Sequence, residues 1–190
     1  MSLSPLSVEE RAKYEEIWSF PEYRGDHVTD HARRAVSLMP MTAGESIIDF
    51  GAGHGYASDH LRDAGFRVLA VDIAVNAMAP EIAARIPRLI GNLWELPIDI
   101  AGDWGFCCDM MEHIPPVHVR DVLACIRRST RRETYFNIAL HPDKCGGLIG
   151  KPLHLTVEDA DWWRAVLGEF WQDQTTVDHR EGSHVTIIAR

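Results

Sequence analysis

From about residue 46 onward, apolar positions fall into two alternating rhythms: short consecutive runs, and longer stretches where they recur every three or four residues. The runs predict strands buried on both faces, and the recurrences predict the helices that cover them. Strands are expected at 47–50, 67–71, 88–90, 104–108 and 134–140, the last rich in β-forming Tyr135, Phe136 and Ile138. After the first strand, a helix carries Ala57, Leu61 and Ala64 inward and ends at Gly65, a natural left-handed cap. A helical stretch interrupted by Pro80 follows the second strand. A helix at 117–128, burying Val119, Val122, Leu123 and Ile126, follows the fourth. This order implies a parallel, doubly wound α/β sheet with right-handed crossovers.

The flanks follow other patterns. S-V-E-E at 7–10 reads as a capping box opening a helix to about residue 19, with Tyr14, Ile17 and Trp18 on one face and Pro21 as its stop. A second helix at 28–39 repeats Val28, Ala32, Ala35, Val36 and Met39 at helical spacing before Pro40. Both precede the sheet, so they must lie over it or beside it, and Tyr14, Trp18, Phe20 and Tyr23 either roof a site or pack on the core. Residues 141–155 form a connection longer than most loops within compact domains. A helix then begins at Thr156, with Asp159 in capping-box position and Trp163, Val166, Leu167 and Phe170 buried; Trp162, off that stripe, either packs or stacks on a substrate. Residues 175–177 and 184–189, joined by a turn containing Gly182, read as an antiparallel hairpin that brings the sheet to seven strands. The expectation is one domain over 1–190: an N-terminal helical cap (1–43), a core (44–140), and a loop, helix and hairpin (141–190).

Composition narrows the function classes. A chain of 190 residues with 46% hydrophobic and 25% charged residues is long enough for one sizeable core. It has no bilayer-spanning apolar run and no basic-then-apolar start, so no membrane contact and a cytoplasmic location are expected. A net charge of −9 argues against a nucleic-acid partner, and Arg127, Arg128, Arg131 and Arg132 read as a helix end. Cys107, Cys108, Cys125 and Cys145 form no C-x-x-C pair. His27 and His31 stand at helical spacing without a third ligand nearby, so no metal site is expected.

The chemistry concentrates in SIIDFGAGHGYASDHLRDAGFRVLAVD, residues 46–72. Strand, glycine turn, helix, strand and terminal acid form a nucleotide-cradling unit: glycines permit a sharp turn and close ligand approach, and the helix start offers unpaired N–H groups. Asp72 ends the second strand with two acceptor oxygens for a ribose diol. Gly51, Gly53 and Gly55 give G-x-G-x-G, with Tyr56 where the dinucleotide pattern G-x-G-x-x-G places its third glycine.

D-F-G-A-G-H-G resembles motif I of the class I S-adenosylmethionine-dependent methyltransferases, and further matches follow in order. Asp72 resembles the family's ribose-binding acid. G-N-L-W-E-L-P at 91–97 is similar to its adenine-side loop, with Asn92 where many members carry Asp. D-W-G-F-C-C-D-M-M-E-H-I-P at 103–115 is similar to its fourth strand and E-H-I-P continuation. The resemblance covers 44–140, and the L-H-L-T segment at 153–156, Trp162-Trp163 and the N-terminal helix look like small stand-alone methyltransferase-domain proteins of phage and bacteria. It implies a Rossmann-like fold, S-adenosylmethionine as cofactor, S-adenosylhomocysteine as product, and cofactor contacts from Asp49, Gly51, Ala52, Gly53, Gly55, Asp72, Ile73, Asn92, Leu93, Cys108 and Asp109.

Methyl transfer from a sulfonium needs alignment above all, with a general base for a poorly ionised acceptor. His141, following the fifth strand, is the first candidate for that base, with Asp109 and His113 beyond the fourth strand as the others; Glu112 and His113 alternatively only cap or orient the next helix. His154 borders the same loop. The chain has F-N-I-A-L at 136–140 in place of an N-P-P-Y sequence, which argues against amino-methyltransferases of nucleic-acid bases and of glutamine. The expectation is methyl transfer to a small-molecule acceptor. The rivals are a noncatalytic cofactor-binding domain or partner subunit, and an NAD(P)-dependent oxidoreductase.

Overall fold

A computed structural model describes residues 4–26, 28–96 and 99–190; His27, and with it the His27–His31 pair, and Pro97 of the adenine-side loop lie outside them. The seven strands are β1 (Ser46–Phe50), β2 (Arg67–Asp72), β3 (Arg88–Ile90), β4 (Trp104–Cys108), β5 (Thr134–Ala139), β6 (Gln174–Arg180) and β7 (His184–Ala189). They form one sheet in the order β3-β2-β1-β4-β5-β7-β6, parallel as far as β5 and antiparallel through the terminal hairpin. The helices are α1 (Pro5–Ile17), α2 (Thr29–Leu38), α3 (Tyr56–Asp63), α4 (Pro80–Ala83), α5 (Val119–Ser129) and α6 (Ala160–Gly168).

The period-two geometry of the strands sorts the core. In β1, Ile47 joins a cluster containing Ala32 and Ala35 of α2, Leu61 of α3 and Ile82 of α4. Ile48 and Phe50 point the other way, into a cluster with Val122 and Ile126 of α5 and Trp163 and Leu167 of α6. Burial on both faces explains why these strands read as continuous apolar runs. α1 packs on neither face. Its Tyr14 and Ile17 form a separate cluster with Ala74, Ala77 and Leu153, above the carboxyl ends of the strands.

Several local expectations are corrected. α1 is capped by Ser4, whose hydroxyl accepts from the Ser7 amide at 3.3 Å, because Pro5 fits the first helical position; Ser7 instead sends its hydroxyl to Glu95 at 2.7 Å. Pro80 likewise starts α4 and does not interrupt it. Ala64 is exposed at the end of α3, where Gly65 turns the chain at φ +95°. α6 begins after Asp159, whose own side chain accepts from the Trp162 amide at 2.8 Å, and the aromatic buried beyond its end is Trp171, with Phe170 only partly covered. Arg131 and Arg132 pair with Asp103 and Glu45, at 3.3 and 2.8 Å.

Candidate active site

The carboxyl ends of β1, β2 and β4 open beneath α1, at the point where the strand order reverses, and two adjoining cavities lie there. The smaller, about 100 Å³, lies between Tyr14, Trp18 and Tyr23 above and Gly51, Gly53, Asp72 and Asn92 below. The larger, about 400 Å³, continues past Asp109 and His113 to His141 and His154.

The glycine loop is shaped by backbone and neighbours together. Gly51 has φ +77°, and a Cβ there would lie 2.2 Å from Cγ of Met110, so only glycine fits on both counts. Gly53 donates its amide to Asp72 Oδ2 at 2.8 Å, while Ala74 donates to Oδ1 at 2.9 Å. These two bonds fix the carboxylate at the rim, and burial raises its pKa. Gly55 lines neither cavity; it starts α3 and faces Ile82 and Met78. Asp49, 2% exposed, accepts from Ser58 of α3 at 2.5 Å, and burial pushes its pKa up to about 7 against the opposing pull of that bond. Asn92 is also 2% exposed, and neither atom of its side-chain amide has a partner.

The residues assigned to the cofactor thus divide. Gly51, Gly53, Asp72, Ile73, Asn92, Leu93 and Asp109 line the smaller cavity, and Asp49, Ala52 and Cys108 join Gly51, Gly53 and Asp109 along the larger. The roof aromatics do reach the cleft. Trp18 packs edge-on against Tyr23, with centroids 4.6 Å apart, and Arg24 braces the turn by donating to the carbonyls of Trp18 and, at 3.0 Å, Asn76.

Asp109, His113 and His141 all line the larger cavity. Asp109 follows β4 in a left-handed conformation, φ +54°, which a short polar side chain tolerates. Glu112 is fully buried. Its Oε1 accepts from the Ala139 amide at 3.0 Å, and burial, then the neighbouring Asp109 carboxylate, raise its pKa well above the usual range. Tyr14 donates to the Leu153 carbonyl at 3.3 Å and lies 2.9 Å from His113 Nδ1, so that nitrogen carries the hydrogen. Burial lowers the His113 pKa to about 4, leaving its ring neutral near pH 7. His154 Nδ1 donates to the His141 carbonyl at 2.6 Å, and His141 Nδ1 to the Pro142 carbonyl at 2.8 Å. Because a carbonyl only accepts, each neutral ring keeps its lone pair on Nε2.

Sequence reasoning missed two parts of this cleft. Glu10 lines the smaller cavity and is paired at 2.6 Å with Lys13, although acidic side chains facing solvent are the ordinary outcome on a helix. Asp143 folds the long loop back, accepting from Gly146 at 2.5 Å, Leu153 at 2.8 Å and His154 at 3.3 Å. The Pro142-Asp143 pair followed by two glycines was the available signal.

No protein-family model matches the sequence, and no curated protein matches it either. Solved structures do match in fold. DhpI in complex with S-adenosylhomocysteine aligns over 99% of this chain and 98% of its own, at 16% identity and a TM-score of 0.74. A chain of the complex between the Haloferax volcanii Trm112 methyltransferase activator and a methyltransferase aligns over 95% and 96%, at 17% identity and 0.68. The 1,6-didemethyltoxoflavin-N1-methyltransferase of Burkholderia thailandensis, with bound 1,6-didemethyltoxoflavin and S-adenosylhomocysteine, aligns over 100% and 91%, at 16% identity and 0.67. The strand order, the terminal antiparallel hairpin and these alignments together give the chain the fold of the class I S-adenosylmethionine-dependent methyltransferases.

Proposed function

We propose that this protein binds S-adenosylmethionine in the smaller cavity and transfers its methyl group to a small molecule held in the larger one. The observation that carries the reading is Asn92: a buried amide with neither oxygen nor nitrogen satisfied is costly unless a ligand completes it. An adenine edge, with an amino donor beside a ring acceptor, suits that amide. In this reading Asp72 takes the ribose hydroxyls and the loop at Gly51 and Gly53 the methionine portion, with Asp49 giving negative charge to a cationic ligand as pH rises through about 7. The bound cofactor contributes an activated methyl carbon; the chain contributes alignment and exclusion of water beneath Tyr14, Trp18 and Tyr23. His141, with its lone pair on Nε2, is the base for an acceptor that must lose a proton.

Neighbours that carry S-adenosylhomocysteine, one of them beside a small heterocycle, support this reading. The open cleft and the −9 charge favour a small acceptor over a nucleic acid. Isothermal titration of the purified protein with S-adenosylhomocysteine should give one site, and Asp72→Ala should abolish it. Absence of heat for both S-adenosylmethionine and its product on folded protein refutes the proposal. Binding without methyl transfer across an acceptor panel would instead identify a noncatalytic cofactor-binding subunit, and binding of a nicotinamide dinucleotide an oxidoreductase.

A further inference from the structure

Next to the cofactor cleft stands a set of donors that methyl transfer does not itself require. One carboxylate oxygen of Glu112 and one ring nitrogen each of His113 and His154 lie within 4.8 Å of one another. We infer that Glu112, His113 and His154 hold a divalent first-row transition cation, whose remaining coordination positions face the larger cavity and take an oxygen of the methyl acceptor. The acceptor half of this statement rests on the proposed methyl transfer; the cation site does not.

Four observations carry it. The ligand types fit: two imidazoles and one carboxylate suit zinc, iron, cobalt or manganese and leave positions for exogenous oxygen. The Glu112 carboxyl is fully buried beside the Asp109 carboxylate, two acidic groups facing each other with no cationic side chain between them in the set, and a cation is what such a pair lacks. Both histidines engage Nδ1 in a hydrogen bond, as a metal-ligating histidine does with the ring nitrogen that does not bind the ion. The Nδ1 of His113 meets the Tyr14 hydroxyl at 2.9 Å and that of His154 meets the His141 carbonyl at 2.6 Å, which turns a lone pair on each Nε2 towards other use. Finally, the two segments are fastened together: the amides of Leu155 and Thr156 donate to the Glu112 carbonyl at 2.8 and 2.9 Å, and the Thr156 hydroxyl to the Ile114 carbonyl at 2.7 Å. Ligands 41 positions apart in sequence are therefore set against each other by backbone bonds, with the His113 and His154 ring centroids 4.7 Å apart.

Donors bound about 2.1 Å from one ion lie roughly 3 to 3.5 Å apart. Closing the set to that separation takes a small side-chain rotation. His154, on the loop that Asp143 folds, makes it by pivoting about the bond from its Nδ1 to the His141 carbonyl. His113 lines both cavities, so an ion there sits between the cofactor side and the acceptor side. An acceptor hydroxyl coordinated at that point becomes more acidic, and His141 on the same wall removes its proton. The chemistry points to an oxygen acceptor, such as a phenol or a hydroxy acid, in preference to a simple amine.

The test uses chelator-stripped full-length protein titrated with Zn²⁺, Mn²⁺ and Co²⁺, followed by calorimetry, by metal analysis after desalting and, for Co²⁺, by its visible absorption. One equivalent with a dissociation constant in the micromolar range or tighter is expected for at least one of the three. His154→Ala and Glu112→Gln should each weaken it at least tenfold; the glutamine keeps an oxygen for the Ala139 amide, which protects the fold. His179→Ala, on the exposed side of β6, should bind as the parent does. Less than a tenth of an equivalent on the parent protein, or equal binding by both site variants, overturns the inference. S-adenosylhomocysteine titrated into the same samples keeps the two proposals apart: metal binding without nucleoside binding leaves this site standing and the methyltransferase reading refuted, and the reverse result does the opposite.

Discussion

Asp49→Asn exposes the cost of the charge built into the cleft. Asp49 is 2% exposed, its one hydrogen bond comes from Ser58, and burial with the nearby Asp72 raises its pKa from 3.8 to about 7. A group whose pKa is raised on folding contributes stability below its unfolded pKa and loses it as pH climbs through the folded value. Here the window runs from about pH 4 to about pH 7, and the shift corresponds to about 4 kcal/mol at full development. Asparagine has nearly the same shape, can still bond the Ser58 hydroxyl and does not titrate. Urea unfolding at pH 4, 5, 6, 7 and 8 should therefore find the two proteins close in stability at pH 4, and the variant progressively more stable above it. The advantage should approach 4 kcal/mol near pH 7 and then level. In the proposed function the same substitution has a functional cost, because an ionised Asp49 favours a cationic ligand: S-adenosylmethionine should bind the parent more tightly as pH rises through 7, and the variant without that dependence. A stability difference that is constant across the pH series, or an advantage for the parent at pH 8, would refute the reasoning.

Two further outcomes follow from packing and hydrogen bonding. Asn92→Leu replaces an unsatisfied buried amide with an apolar group of similar size; it should raise the urea midpoint, by about 1 to 3 kcal/mol in stability, while S-adenosylhomocysteine affinity falls at least tenfold by calorimetry. Gly51→Ala meets both a left-handed backbone and Met110, and should lower stability by about 1 to 3 kcal/mol; adding Met110→Ala removes the Cγ clash at 2.2 Å but leaves Cβ at 2.8 Å, so thermal unfolding should show only partial recovery.

The strand positions were legible because both faces of the parallel sheet are covered, which turns β1, β4 and β5 into unbroken apolar runs. Element starts were harder to read. Ser4 before Pro5 competes with Ser7 for the cap of α1, and Asp159 serves as cap of α6 where it also fits the third position of an earlier helix; which serine or aspartate wins depends on proline geometry and on Glu95, 88 residues from Ser7. Phe170 and Trp171 are adjacent, and only packing against Phe136 decides that Trp171 goes inward.

The same contrast separates the two halves of the cleft. Most of the cofactor wall is local: Asp49, the glycine loop and Asp72 fall within one strand-helix-strand unit, so their spacing is preserved in the sequence. The acceptor wall is assembled across the chain. Tyr14 meets His113 over 99 positions, Glu112 reaches Ala139 over 27, and His154 reaches His141 over the folded loop. No spacing rule records such encounters, and each of these residues read singly has an ordinary structural explanation. Their joint geometry is what carries information, because the bonds that satisfy Tyr14, His113, His154 and His141 also dictate where each imidazole keeps its lone pair. Three imidazoles, each with its Nδ1 engaged, line one cavity wall, and the buried Glu112 carboxyl lies beside Asp109 behind it. In the proposed function, lone pairs left on Nε2 along that wall suit an acceptor hydroxyl and the inferred divalent cation together.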